Sequence, residues 1–243
     1  MATAKKILME GAKVVIYTKS TEKLKDLNTD NVLIIEGDVT DRENVKSAME
    51  KGIEKFGAVD ILINNAGVAK RENFLDTTEK DWDFHINVNM KGVFICIQEF
   101  IRNLARTNAE RMQNNTEEVQ RKSVLSQRES ARNINKMVIN ISSGAGIYGV
   151  DEIAVYSATK AAVINLTQSL NEELKNLGIK WVAVCPASTN TKMFQGLFPE
   201  EKPADTPENV AEVIYKIITG EIKPNDMLYV DVFHHIHSHH LDN

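Results

Sequence analysis

The chain has 243 residues, 42% hydrophobic and 26% charged, which supplies enough apolar content for a buried core and excludes a disordered or collagen-like chain. Its formal net charge of −5 argues against nucleic acid or an anionic membrane as the main partner, because such binding draws on excess Lys and Arg. No apolar run approaches the roughly 20 residues that span a bilayer, and the N-terminal residues carry neither the apolar core nor the cleavage site of a signal peptide, so a cytoplasmic location is expected.

Residues 2–10 read as a helix that Gly11 ends, and residues 13–17 then read as the first strand. A second strand is expected over 32–35. The stretch 41–56 reads as a helix that begins after the cap-like Thr40 and ends at Gly57. A third strand over 59–63 leads to another helix over 88–104. The remaining strands are expected at 137–141, 181–185 and 227–230, separated by helices over 155–177, stopped by Gly178, and over 207–219, opened by Pro207 and followed by Gly220. β-branched strands alternating with helices predict an α/β fold, a doubly wound parallel sheet covered on both faces.

Three segments stand apart from this pattern. Residues 105–136 hold eight Asn or Gln, seven basic and four acidic side chains, with no Gly or Pro, and are expected to form a polar, helical or disordered insertion in a single domain spanning 1–243. Cys96 and Cys185 lie in separate apolar runs with no CxxC spacing, as buried reduced thiols do. His234, His235, His237, His239 and His240 crowd the C-terminal end, where imidazoles at 235, 237 and 239 would share a face if the last strand continued; without carboxylate or thiol partners at ligand spacing other than Asp231 and Asp242, no metal site is assigned.

Chemistry concentrates at Tyr156 and Lys160. Four residues apart on a helix, the two side chains share a face, so the ammonium can sit near the phenol. A nearby cation favours the phenolate and turns a group with pKa near 10 into a usable acid or base. Ser142 and Ser143 follow the strand at 137–141 directly, at the carboxyl edge where open α/β sheets place their ligands. A Ser143 hydroxyl there can bond a substrate oxygen beside the phenol.

Taken with Gly37-Asp38-Val39, Asn64-Asn65-Ala66-Gly67, Asn89 within Asn87-Val88-Asn89-Met90-Lys91-Gly92, and the stretch from Pro186 to Thr191, all in one order along the chain, these motifs resemble the short-chain dehydrogenase/reductase family from Met1 to about Val230. The resemblance implies a Rossmann-like fold and an oxidoreductase that interconverts a carbonyl and an alcohol by hydride transfer with a nicotinamide dinucleotide. It implies Tyr156 as proton donor or acceptor, Ser143 as the group polarising the oxygen, Lys160 as the residue that lowers the Tyr156 pKa and holds the nicotinamide ribose, and Asn89 as the anchor of a proton-relaying water. Asp38, Val39 and Asn65, with Ala66 and Gly67, would line the cofactor, and Pro186 and Thr191 its nicotinamide end. Asn65 could equally tie neighbouring strands together, and Thr191 could simply cap a helix. Pro186-Ala187 departs from the family's Pro-Gly.

Thr18, Lys19 and Ser20 end the first strand where NAD-dependent members carry an acidic residue, so the charge favours NADP(H) over NAD(H), with a solvated Lys19 as the plain alternative. Met193, Phe194, Leu197 and Phe198 suggest an apolar substrate, although the two phenylalanines could equally be core. The resemblance further implies a homo-oligomer. The family's glycine-rich turn TGxxxGxG, with the strand before it, is not found in these residues. Met1 is therefore expected to be an internal methionine of a longer chain, and without that strand those at 13–17 and 59–63 each lack a neighbour. The alternative reading is a non-catalytic scaffold or binding protein of the same fold with impaired dinucleotide binding.

Overall fold

The computed structural model describes residues 1–27, 29–114 and 136–237. Helix α1 (Ala2–Met9) ends at Gly11, whose φ of +85° only glycine adopts without strain, and strand β1 (Val14–Thr18) follows. β2 (Val32–Glu36) leads to α2 (Arg42–Phe56), which is capped by Asp41 and not by Thr40: the Asp41 carboxylate accepts from the Asn44 amide at 3.1 Å. β3 (Ile61–Asn64) is followed by α3 (Glu79–His85), a π-helical turn (Ile86–Lys91) and α4 (Gly92–Asn114). After β4 (Met137–Ile141) come α5 (Ala154–Glu173), β5 (Lys180–Cys185), α6 (Lys192–Leu197), α7 (Pro207–Thr219), β6 (Tyr229–Asp231) and α8 (Val232–His237).

All strand pairs are parallel, but the pairing is divided: β1 bonds β2, and a separate sheet runs β3-β4-β5-β6. Among the described residues no strand joins β1 to β3, so each ladder has an open edge there. Packing bridges what the ladders do not. Gly52 of α2 comes so close to Val15 that an added Cβ would lie 3.0 Å from its Cγ2, and Tyr17 of β1 shares an apolar cluster with Val39, Leu62, Val45, Ile95 and Cys96.

The four-stranded sheet is covered on both faces, with side chains alternating between them as the strand period of two requires. Met137, Ile139, Val182 and Val184 pack against Val210, Val213, Ile214 and Ile217 of α7. Val138 and Trp181 point the other way, against Val93, Ile97 and Phe100 of α4 and Val163 of α5. Polar side chains also pin β3 to β4: Asn64 Nδ2 donates to Asn140 Oδ1 at 2.8 Å, and Asn140 Nδ2 donates to Thr167 Oγ1 of α5 at 2.9 Å. The strand-tying asparagine is thus Asn64, which leaves the exposed Asn65 outside the core.

Four expectations shift in detail. The helix expected over 88–104 begins at Gly92, because the preceding turn is π-helical, and continues to Asn114; the rest of the 105–136 insertion, up to residue 135, lies outside the described residues. The strand expected over 227–230 is Tyr229–Asp231, since Leu228 takes a positive φ of 56° and turns the backbone first. α8 replaces any continuation of that strand, so His234 and His235 are helical, while His239 and His240 lie outside the described residues. α5 ends at Glu173, followed by a 3-10 turn (Lys175–Leu177) before Gly178 takes φ +66°.

Asn140 is fully buried and satisfies two partners. Asn140→Ala is expected to leave the Asn64 amide without its partner, to remove one of the two hydrogen bonds of Thr167, and to lower unfolding free energy by roughly 1 to 3 kcal/mol, read by urea denaturation.

Candidate active site

The carboxyl ends of β3, β4 and β5 bring together the residues singled out in sequence. Lys160, one turn after Tyr156 on α5, is 5% exposed, and its Nζ donates to the Ile141 carbonyl at the end of β4 over 2.8 Å. That ammonium lies 5.7 Å from the centroid of the Tyr156 ring. Ser142 and Ser143 divide their roles. The buried Ser142 hydroxyl donates to the Lys160 carbonyl at 2.7 Å and fastens β4 to α5, whereas Ser143 accepts from the Ala145 amide at 3.2 Å and interacts with the Tyr156 hydroxyl.

One glycine makes this approach possible. A Cβ on Gly146 would lie 2.7 Å from the Lys160 carbonyl carbon, so the turn after Ser143 packs on the helix backbone only without a side chain. A Cβ on Gly67 would come within 3.4 Å of Lys160 Nζ and 3.5 Å of Asn89 Oδ1. Asn89, fully buried in the π-helical turn, accepts from the Val68 amide at 2.8 Å and donates to the Val68 carbonyl at 2.9 Å and to Thr159 Oγ1 at 3.0 Å. Asn89 therefore locks the segment after β3 against α5, and no capping or periodicity signal marks the π-helical turn that places it.

The electrostatics differ from the expected pairing. Burial pushes the Tyr156 phenol above its usual pKa, with the Ser143 hydroxyl opposing the shift; Lys160 is not among the causes. Burial pulls Lys160 itself down to about 8, against a small opposing effect of Cys185. The expectation that Lys160 lowers the Tyr156 pKa is thus not met here, because the ammonium turns to the Ile141 carbonyl and the phenol is desolvated.

A second group gathers at the carboxyl ends of β1 and β2. Lys19 Nζ lies 2.7 Å from Asp38 Oδ2, and Asp38 Oδ1 accepts from the Thr40 amide at 2.9 Å. Lys19 holds the Asp38 carboxyl below its usual range. Tyr17 Oη donates to the Asp38 carbonyl at 2.8 Å, and its ring lies where a Gly37 side chain would be. Thr18 Oγ1 donates to the Ser20 carbonyl at 3.3 Å, and the Val39 side chain turns into the core against Gly92. Asn65 and Ala66 are exposed beside Gly67. The Pro186 carbonyl accepts from the Gly144 amide at 2.8 Å, tying the loops after β4 and β5, and Thr191 caps α6 by accepting from the Phe194 amide at 3.2 Å.

These residues fit a dinucleotide at its two ends. An ammonium has three N–H groups, so Lys160 retains donors beyond its bond to Ile141, and Gly67 leaves open the space beside them. Lys19 and Asp38 supply both a cation and an acceptor at the other end. Among the described residues no group of His, Cys, Asp and Glu could hold a metal ion, and no helix is long and apolar enough to cross a membrane.

A family model described as short chain dehydrogenase matches residues 1–113 and 122–202. The chain is 32% identical over 242 residues to the 3-oxoacyl-[acyl-carrier-protein] reductase FabG of Thermotoga maritima, covering 90% of this chain and 85% of that protein. It is also 32% identical over 223 residues to an uncharacterized oxidoreductase of Staphylococcus haemolyticus, with the same coverage. Among solved structures, 3-ketoacyl-(acyl-carrier-protein) reductase from Brucella melitensis complexed with NADH matches at TM-score 0.75 and 26% identity, covering 95% of this chain and 90% of that one. ElxO with NADP bound matches at TM-score 0.70 and 25% identity, covering 95% and 89%.

Lys160 gives the site a measurable signature. Its folded pKa of about 8 lies below the unfolded value of 10.5, so the unfolded chain binds more protons between those limits. The stabilising contribution is complete above the unfolded value and is lost as pH falls through about 8. Chemical denaturation from pH 8 to 10 should show the native protein gaining stability relative to Lys160→Met as pH rises; parallel curves would contradict the buried ammonium.

Proposed function

The chain belongs to the short-chain dehydrogenase family, and on that premise we propose that it interconverts an apolar carbonyl compound and its alcohol with NADP(H), using Tyr156, Ser143, Lys160 and Asn89. The observation that carries this reading is the convergence of a protonated, desolvated phenol, a hydroxyl beside it and a buried ammonium at the carboxyl ends of three adjacent strands. A family of oxidoreductases with nicotinamide-bound relatives in its fold supports it.

The dinucleotide, when bound, supplies or takes up a hydride. The raised pKa of Tyr156 keeps its phenol protonated at neutral pH, ready to give a proton to a carbonyl oxygen. The Ser143 hydroxyl donates a hydrogen bond to that oxygen and draws charge onto it. As the product O–H bond forms, the phenol O–H bond breaks, and the negative charge passes to the Tyr156 oxygen. The Lys160 ammonium holds the nicotinamide ribose through donors not used by the Ile141 carbonyl, while Asn89 keeps the Val68 backbone and α5 in register and anchors a proton relay to Lys160.

Asp38, Val39, Asn65, Ala66 and Gly67 line the cofactor, with Pro186 and Thr191 at its nicotinamide end. Lys19 favours NADP(H), since a 2′-phosphate can take over the salt bridge that Asp38 now makes. The apolar side chains of α6 and Phe198, stacked with Phe194 at a centroid distance of 5.5 Å, favour an uncharged substrate. The reading includes a cytoplasmic homo-oligomer of single-domain chains.

Tyr156→Phe removes only the phenolic hydroxyl, so it is expected to lower NADPH-dependent reduction of 4-nitrobenzaldehyde by at least about a hundredfold with little change in the unfolding midpoint. Near-normal turnover in that variant would overturn the assignment of Tyr156.

A further inference from the structure

Arg71 joins three segments that leave the sheet from β3, β4 and β5, and nothing in the reaction above uses it. Its Nε donates to Glu152 Oε2 at 2.6 Å, and its Nη2 lies 2.5 Å from the same oxygen. Its Nη1 donates to the Leu197 carbonyl of α6 at 3.2 Å, and the guanidinium lies 4.8 Å from the centroid of the Phe198 ring. One planar cation thus engages the loop before the Tyr156 helix and the end of the apolar α6 segment together.

The chain around Arg71 is fixed in a way that aims it. Asn89 holds Val68, the His85 Nε2 accepts from the Lys70 amide at 3.1 Å, and the Glu152 carbonyl accepts from the Glu72 amide at 2.7 Å. His85 is itself buried, with Nδ1 2.7 Å from the Asp81 carbonyl. Residues 68, 70 and 72 are therefore anchored in alternation, as in an extended strand, and Arg71 between them turns toward α6. Glu152 is held at both its carboxylate and its carbonyl while its φ is +58°, a conformation a residue with a Cβ seldom keeps without such support.

We propose that Arg71 is a positioning residue of the substrate site: by gripping Glu152, the Leu197 carbonyl and the Phe198 ring, it fixes the apolar α6 segment to the loop that leads into the Tyr156 helix. This rests on the reductase reading for its kinetic consequence and on geometry alone for its structural one. The guanidinium is paired with Glu152, so the α6 segment carries no net charge at this point, in keeping with an uncharged carbonyl. A lysine cannot replace it, because an ammonium lacks the planar fork that reaches a carboxylate and a carbonyl and stacks on a ring at once.

The test uses the full chain, Arg71→Ala and Arg71→Lys, with NADPH and 4-nitrobenzaldehyde as probes. Both variants should raise the KM for the aldehyde about tenfold, with kcat within about threefold and NADPH affinity within about twofold of the native protein. Independently of turnover, hydrogen exchange at the Gln195 and Phe198 amides of the α6 segment should quicken about tenfold. Unchanged exchange overturns the proposal, as does quickened exchange with an unaltered KM, full rescue by lysine, or a kcat that falls as far as KM rises. If the native protein reduces no aldehyde, the reductase reading fails by itself, and the exchange result alone decides whether Arg71 holds α6.

Discussion

The site is organised around one costly feature, a lysine ammonium buried at the carboxyl edge of β4 with a main-chain carbonyl, not a carboxylate, as its partner. Burying such a group is unfavourable unless it is hydrogen-bonded, and the pKa near 8 records that cost. Neighbouring features follow from accommodating it. Gly146 lets the turn after Ser143 lie on the helix backbone at Lys160, Ser142 bonds the Lys160 carbonyl, and Gly67 leaves space beside the ammonium. Asn89 then closes the far side through Val68 and Thr159. A cation kept in this state has unused donors to give to hydroxyl oxygens, which is what a nicotinamide ribose offers.

The sheet explains how such a site stays in place although its hydrogen-bond ladder is divided. The site sits on the β3-β4-β5-β6 ladder, whose faces are packed by α7 on one side and by α4 and α5 on the other. The β1-β2 pair, which carries Lys19 and Asp38, is held to that body by side-chain packing of α2 and α4 and not by a ladder between β1 and β3. The two ends of the proposed dinucleotide site thus rest on different supports. Apolar packing is nondirectional, so relative movement of β1-β2 costs less than movement within a hydrogen-bonded sheet.

Much of this was legible in the sequence, for reasons that differ by residue. Tyr156 and Lys160 are readable because helix geometry alone puts residues four apart on one face, and Ser143 because a strand ends just before it. Helix ends at Gly57, Gly178 and Gly220 follow from a positive φ that glycine favours. α3 had a readable start in Thr78 and Asp81, which form a reciprocal capping box, yet its short length gives little periodicity. The π-helical turn, the Asn64-Asn140-Thr167 chain and the Arg71 contacts depend on segments far apart in sequence, 76 residues for the first asparagine pair and 126 for Arg71 and Leu197. The raised Tyr156 pKa is not legible for the same reason: spacing reveals a neighbouring charge, but desolvation is a property of the packed site.

On the proposed reading, Lys160 holds a nicotinamide dinucleotide at one end and Lys19 at the other. Fluorescence titration of the full chain with NADPH and NADH, beside Lys160→Ala, tests it most directly. Saturable NADPH binding with a Kd of about 1 to 100 µM, weaker NADH binding, and about a tenfold loss in Lys160→Ala are expected. Absence of NADPH binding at millimolar concentration, or equal binding by Lys160→Ala, would contradict that reading.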